Sequence, residues 1–396
     1  GGEKNRLLFG KLMMSDTNVL YASVDSSPNR LFGTFDGGTT WVEVKEKDGS
    51  DKAWLGAQGW YDNTIGVNPF DENIVYMGGI DLWKATVSFD TSGVPTRTSV
   101  AITDGYGRYP TNTFTHVDHH NITLFPTNNL TKEFIFLNGN DGGVAVSYDA
   151  GASFTEVGDN GYNTSQFYGV DKKPGGSQYF GGMQDNGTWE SEKNVEANKT
   201  TDYSDRIGGD GFEVSWHYGD DQKMIGGSQY NRFMKTTNGW RSYAPANVGF
   251  NGWGNSSVSP FISKIAKSYS DPDLLYTITI EGVYKSVNFG DSWKLYSIPA
   301  FASSGYFSFA QVAISIAEPQ VVWAGANSSA IYVSKDGGES FSVVSNSIRK
   351  SSNTLSGFDT HPTDEATAYS LYSISSNSKY FVARTLPKLR RETKLL

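Results

Sequence analysis

Thr34-Phe-Asp36-Gly-Gly38-Thr-Thr40-Trp41, Ser147-Tyr-Asp149-Ala-Gly151-Ala-Ser153-Phe154, Ser286-Val-Asn288-Phe-Gly290-Asp-Ser292-Trp293 and Ser334-Lys-Asp336-Gly-Gly338-Glu-Ser340-Phe341 share one pattern. It reads Ser/Thr-x-Asp/Asn-x-Gly-x-Ser/Thr-aromatic, and its chemistry is that of a closed turn. The Asp or Asn side chain accepts hydrogen bonds from turn N–H groups. The glycine permits a positive φ where the chain reverses. The final aromatic is placed to fill the space between neighbouring sheets, so Trp41, Phe154, Trp293 and Phe341 are expected to be largely buried. Asp36, Asp149, Asn288 and Asp336 are expected in equivalent hairpin turns, with a structural role.

Working outward, each copy follows a β-rich run: Val19–Val24, Phe134–Leu137, Leu274–Ile278 and Val321–Ala324. Similar runs without a full copy occur at Ile74–Met77, Gln178–Phe180, Met224–Ile225 and Ala368–Leu371. Their partners read as degenerate: Leu82–Lys84, Thr188–Glu190 and Phe233–Trp240. The result is eight units at a spacing of roughly 45 to 60 residues, the period of four-stranded propeller blades. The fold expected is an all-β propeller occupying residues 1–396 as a single domain, with eight blades and seven as the alternative. The insertions 46–63 and 89–115 read as long loops on one rim.

Bulk properties narrow the function classes. Hydrophobic content is 37%, while Gly (44), Tyr (22), Phe (23) and Trp (10) are abundant, as suits short strands, tight turns and aromatic plugs. A net charge of −9 argues against a groove that tracks nucleic-acid phosphates. The one cationic run, Lys388 to Lys394, reads as a solvated end. With no cysteine, a disulfide framework, a thiolate zinc site and cysteine nucleophile chemistry are excluded. No apolar run approaches the roughly 18 residues of a membrane span. Gly1-Gly2 reads as the start of a processed product or of a piece of a longer secreted protein.

The four repeats resemble Asp-boxes, the hairpin motif of sialidases, sortilin-type receptors and xyloglucanase-type hydrolases. A second set of segments, His116-Val-Asp118-His119-His120, Asn140-Asp141-Gly142-Gly143, Gln184-Asp185-Asn186-Gly187 and Gly208-Gly209-Asp210-Gly211, resembles those of secreted bacterial Asp-box (BNR) propellers related to the sortilin ectodomain. The likeness spans roughly residues 110 to 345. It implies a propeller fold and a bacterial extracellular or cell-surface setting, and it leaves activity open.

Three readings of the second set stand side by side. If residues 115–121 form a strand, His116, Asp118 and His120 project from one face and, with Asp141, could hold calcium or zinc. Asp118, Asp185 and Asp210 are candidate catalytic carboxylates for a glycoside hydrolase. The same groups could instead hydrogen-bond exposed strand ends. Trp60, Tyr61, Tyr106, Tyr109, Tyr168, Gln184 and Trp189 are candidate ligand contacts, with Tyr162, Phe167 and Trp253 as further aromatics that could stack on sugar rings. No Arg-Ile-Pro motif or arginine triad supports a sialidase. The leading expectation is a binding module for a polysaccharide or protein ligand, without nucleic-acid or membrane partners. The alternatives are a polysaccharide hydrolase and a scaffold flanked by other domains of a surface protein.

Overall fold

The computed structural model describes residues 7–9, 18–111, 113–157, 164–193, 195–198, 200–299, 301, 310–326, 331–345, 354–373 and 379–384. Tyr162 and the run 388–394 lie outside them. The chain divides into two compact units, Gly1–Ser165 and Gln166–Leu396. Both are built of β-sheets, and among the described residues no helix is long and apolar enough to cross a membrane.

Among the described residues eight sheets are formed, each built on a meander in which consecutive strands pair antiparallel. The first unit holds three, of which the first and third have four strands. The second sheet gains a fifth strand because Lys45–Glu46 pairs parallel with Pro95–Ala101. That pairing corrects the expected loop 89–115: Pro95–Ala101 is a seven-residue strand carrying alternating buried residues. In the second unit four sheets have four strands and the last has three. These repeated four-stranded antiparallel sheets are consistent with propeller blades.

Within each unit the cores lie between successive sheets, because both faces of a middle strand must be covered. Tyr21 and Leu31 of the first sheet meet Ile65, Val75 and Met77 of the second, and Tyr76 meets Ile122, Leu124 and Phe136 of the third. In the second unit Phe180 packs on Val214 and Trp216, Phe233 on Leu275 and Tyr284, and Tyr276 on Val312 and Val322.

The four repeats do occupy equivalent turns, between the third and fourth strands of their sheets. In the third sheet Ser147 Oγ donates to Asp149 Oδ1 (2.8 Å) and accepts from Gly151 N (2.9 Å), while Ser153 N donates back to Asp149 (2.9 Å). The same three bonds close the turns at Asp36, Asn288 and Asp336.

A fifth such turn stands where the sequence looked degenerate. Thr236 Oγ1 contacts Asn238 Oδ1 (3.0 Å) and accepts from Trp240 N (2.9 Å), and Ser242 N donates to Asn238 Oδ1 (3.0 Å). Trp240 takes the place of glycine at φ 62° and is itself the plug, packed in the core with Phe180 and Trp216. The strain of a left-handed tryptophan is offset by burial of its ring.

Trp293 is 5% exposed and lies against the preceding sheet; Phe154 and Phe341 are half-buried against theirs. Trp41 departs from expectation at 39% exposed. These aromatics fill the gap to the sheet before their own, and in its unit the first sheet has none before it.

Candidate functional site

Topology sorts the two sets of motifs to opposite ends of each sheet. The closed Asp turns join third to fourth strands. Asn140–Gly143 and Gln184–Gly187 join second to third strands, at the other end. The segments ahead of the first strands return to that same end. Asp118 N and His119 N donate to Ile80 O and Gly79 O, in the second-to-third hairpin of the preceding sheet.

In the first unit the site is assembled from three segments. The loop 51–63 is anchored by Trp54 and Leu55, both buried between the first two sheets. Trp54 Nε1 donates to Ser23 Oγ (3.1 Å), and Leu55 N to Asn29 Oδ1 (3.1 Å). So pinned, the loop turns through Gln58, whose carbonyl accepts from Tyr61 N and Asp62 N, and presents Trp60 and Tyr61 outward at 64% and 42% exposure. Their rings sit 5.7 Å apart.

Tyr61 OH donates to Asp141 (3.0 Å), and His120 Nε2 lies 2.5 Å from Asp141 Oδ1. Tyr61 and His120 also meet edge to face at 4.8 Å. The Asp141 bond, against the opposing effect of burial, raises the His120 pKa. Beneath lies a carboxylate the sequence reading passed over. Asp62 is fully buried; Gln58 Nε2 donates to Asp62 Oδ2 (3.0 Å) and to Asp118 Oδ1 (2.6 Å). Burial, opposed by the Gln58 bond and reinforced by the charge of Asp118, pushes Asp62 up to about 7, so it keeps a proton near neutrality. Burial also raises Asp118, with the nearby Asp141 charge adding to it. Carboxylate oxygens of Asp118 and Asp141 lie within 4.8 Å.

The expected strand over 115–121 is corrected. Asp118 has φ 62°, and the strand begins at His119. A left-handed residue breaks the alternation, so His116, Asp118 and His120 do not share a strand face. His116 Nδ1 faces Val117 O (3.1 Å), and Gly142 is required beside it, since a Cβ there would stand 2.6 Å from His116. His119 is buried and meets Asn138 Oδ1 at 2.7 Å. That oxygen also accepts from Asn140 Nδ2 (3.1 Å), so His119 Nδ1 carries the hydrogen. Burial lowers its pKa to about 4, leaving it neutral. Within this unit Asp118 and Asp141 are the members of the expected calcium or zinc set whose carboxylates come together. His120 is engaged with Asp141.

Tyr106 and Tyr109 separate in role. Asp104 accepts from Tyr106 N (3.2 Å) and Tyr109 N (2.6 Å), and Arg108 bonds Asp81 (2.6 Å). Tyr109 packs edge-on to Trp83 in the core, whereas Tyr106 is 63% exposed.

In the second unit Asp185 N donates to Asp210 Oδ1 (2.9 Å), and Asp210 N donates to Gln229 Oε1 (3.2 Å). The first bond staples adjacent sheets and engages Oδ1 of Asp210; the second holds the Asp210 segment to the hairpin of its own sheet. Trp189 Nε1 donates to Asn186 O, holding the turn that bears Gln184. Tyr168 and Phe167 are exposed, Tyr168 meeting Phe212 edge-on at 5.1 Å. Trp253 Nε1 donates to Phe233 O (2.8 Å) under Arg232.

No family model matches the chain, and no curated protein matches it. Among solved structures it is similar to a GH74 enzyme from Niastella koreensis, at 13% identity and TM-score 0.27, over 93% of this chain and 68% of that one. It is also similar to the GH74 xyloglucanase from Xanthomonas campestris, at 13% identity and TM-score 0.37, over 94% of this chain and 57% of that one. YCF48 bound to D1 peptide matches at 12% identity and TM-score 0.29, over 98% and 95% of the two chains. Scores this low carry no argument, and the fold stands on the sheets themselves.

Proposed function

We propose that the chain is an extracellular β-propeller binding module, its eight sheets serving as blades, which takes a polysaccharide against the Trp60–Tyr61 platform of the first unit. The observation that carries this reading is an exposed indole held on a rigid base: Trp54 and Leu55 anchor its loop, and Tyr61 is tied to Asp141 and His120. Flat aromatic rings stack on sugar faces, while Asp141 and His120 beside them offer hydrogen bonds to hydroxyls.

The hydrolase alternative is less well supported. Glycosidases need two carboxyl groups about 5 to 9.5 Å apart across an open substrate. Of the candidate carboxylates Asp118, Asp185 and Asp210, Asp118 Oδ1 already accepts from Gln58 Nε2 and Asp210 Oδ1 from Asp185 N. Affinity electrophoresis in a panel of soluble polysaccharides tests the proposal. At least one should retard the parent, and Trp60→Ala should weaken that binding about tenfold or more, the equivalent of about 1.4 kcal/mol. Equal retardation of parent and variant, or none of the parent, would refute it, as would release of reducing sugar.

A further inference from the structure

The second unit contains a cleft that the reading above does not use. Its volume is about 510 Å3, inside the range of about 300 to 1,000 Å3 of small-molecule sites. It is lined by residues from the first strand of every sheet in that unit: Gly169–Lys172, Val214–Trp216, Ala266–Lys267, Ala310–Ile314 and Thr354–Thr360.

The polar groups of its wall are held in place before any ligand arrives. Lys267 Nζ pairs with Asp171 Oδ2, which also accepts from Trp216 N (2.7 Å). Lys264 Nζ pairs with Glu213 Oε2 at 3.0 Å. Each ammonium has further N–H donors and each carboxylate further lone pairs. Two polar side chains in the lining are not tied to protein partners. Ser215 is 1% exposed and its Oγ has no hydrogen-bond partner. Gln311 is 8% exposed, and its side-chain amide makes no hydrogen bond among the described residues. An amide in the lining without a protein partner can both donate to and accept from a polar ligand.

The charges of the wall nearly balance: Asp171, Glu213 and Asp359 face Lys264 and Lys267. An anion would meet an excess of carboxylate. An apolar molecule would strand Gln311 and Ser215. What suits such a wall is a neutral molecule with many hydroxyls, each able to donate and accept. Tyr269, 66% exposed with its ring 5.9 Å from Lys267 Nζ, adds an aromatic face at the lining.

We propose that this cleft is a second carbohydrate site, taking one or two neutral sugar rings, with Gln311 as its principal specificity contact. The inference shares a ligand class with the Trp60 platform but none of its residues. Isothermal titration of the whole protein with glucose, galactose, mannose, xylose, cellobiose and maltose tests it. At least one should bind; Gln311→Ala should weaken that sugar tenfold or more, and Tyr269→Ala several-fold. Gln311 holds no structural bond, so its variant should melt with the parent. In a Trp60→Ala background, which removes the platform, the sugar should still bind and Gln311→Ala should still weaken it tenfold or more, which separates failure here from failure of the polysaccharide reading. No binding by any sugar, binding that Gln311→Ala leaves intact, or loss only with Trp60→Ala would each overturn the proposal.

Discussion

Replacing Asp62 by Asn should reduce a fall in stability between about pH 4 and 7 that the parent shows. Asp62 is fully buried; its Oδ2 accepts from Gln58, and its Oδ1 meets no donor. Its pKa is raised from 3.8 to about 7. Between those values the folded state keeps a proton that the unfolded chain has released, so stability is full below about pH 4 and is lost as pH rises towards 7. A difference of roughly 3 units at about 1.4 kcal/mol per unit sets a ceiling of about 4 kcal/mol. Asn mimics the neutral acid, accepting from Gln58 and donating to Asp118, without titrating. Urea unfolding followed by tryptophan fluorescence at pH 4.5, 5.5, 6.5 and 7.5 should show the variant gaining on the parent by up to about 1.4 kcal/mol per pH unit. Asp36 and Asp336 do not enter this window. Serine and threonine hydroxyls and turn N–H groups hold both down at about 2, so their contribution is lost only as pH falls below about 4. His120, raised chiefly by its Asp141 bond, and Asp118, raised chiefly by burial, keep those main causes in both proteins, and only their smaller couplings to Asp62 change with the substitution. Parallel curves for parent and variant would refute the reasoning.

Trp293→Ala and Trp240→Ala should each cost about 3 to 5 kcal/mol, since both rings plug the space between sheets. Trp41→Ala, at an aromatic with 39% exposure, should cost under about 1 kcal/mol, and thermal melts of the three variants check the ranking. Glu46→Gln should cost about 3 to 5 kcal/mol, because Arg97, only 4% exposed, would keep a buried charge without its 2.8 Å carboxylate partner. A loss below about 1 kcal/mol in denaturant would show that Val44 O and the Trp54 ring suffice for Arg97.

The repeat was legible because each closed turn is specified locally. Ser147, Asp149, Gly151 and Ser153 satisfy one another within seven residues, so spacing alone reveals them. The turn at Asn238 read as degenerate because tryptophan stands where glycine was required. Its left-handed backbone is sustained by the packing of its ring against Phe180 and Trp216, a tertiary effect invisible in the local pattern. The strand Pro95–Ala101 was hidden for a related reason. Its alternation is short, and the pairing with Lys45–Glu46 joins segments fifty residues apart.

The site was half legible, and the missing half is a matter of burial. His120, Asp141 and Tyr61 stood out as polar or aromatic residues in turn-rich sequence, and they do meet. Asp62 lay one residue from Tyr61 and was passed over, because a lone Asp after two aromatics has no spacing that marks it. What makes it chemically distinct is the removal of water by the sheets around it and the proximity of Asp118, sixty positions from Gln58, the residue that bridges them. Burial of this kind is set by how three segments of the first unit come together. The sequence clue available was the pair Trp54-Leu55: two large apolar residues inside a polar loop must pack somewhere, and packing them draws the following turn, with Gln58 and Asp62, inward. Reading that anchor as a constraint on its neighbours would have placed Asp62 beneath the platform and left Trp60 outside it.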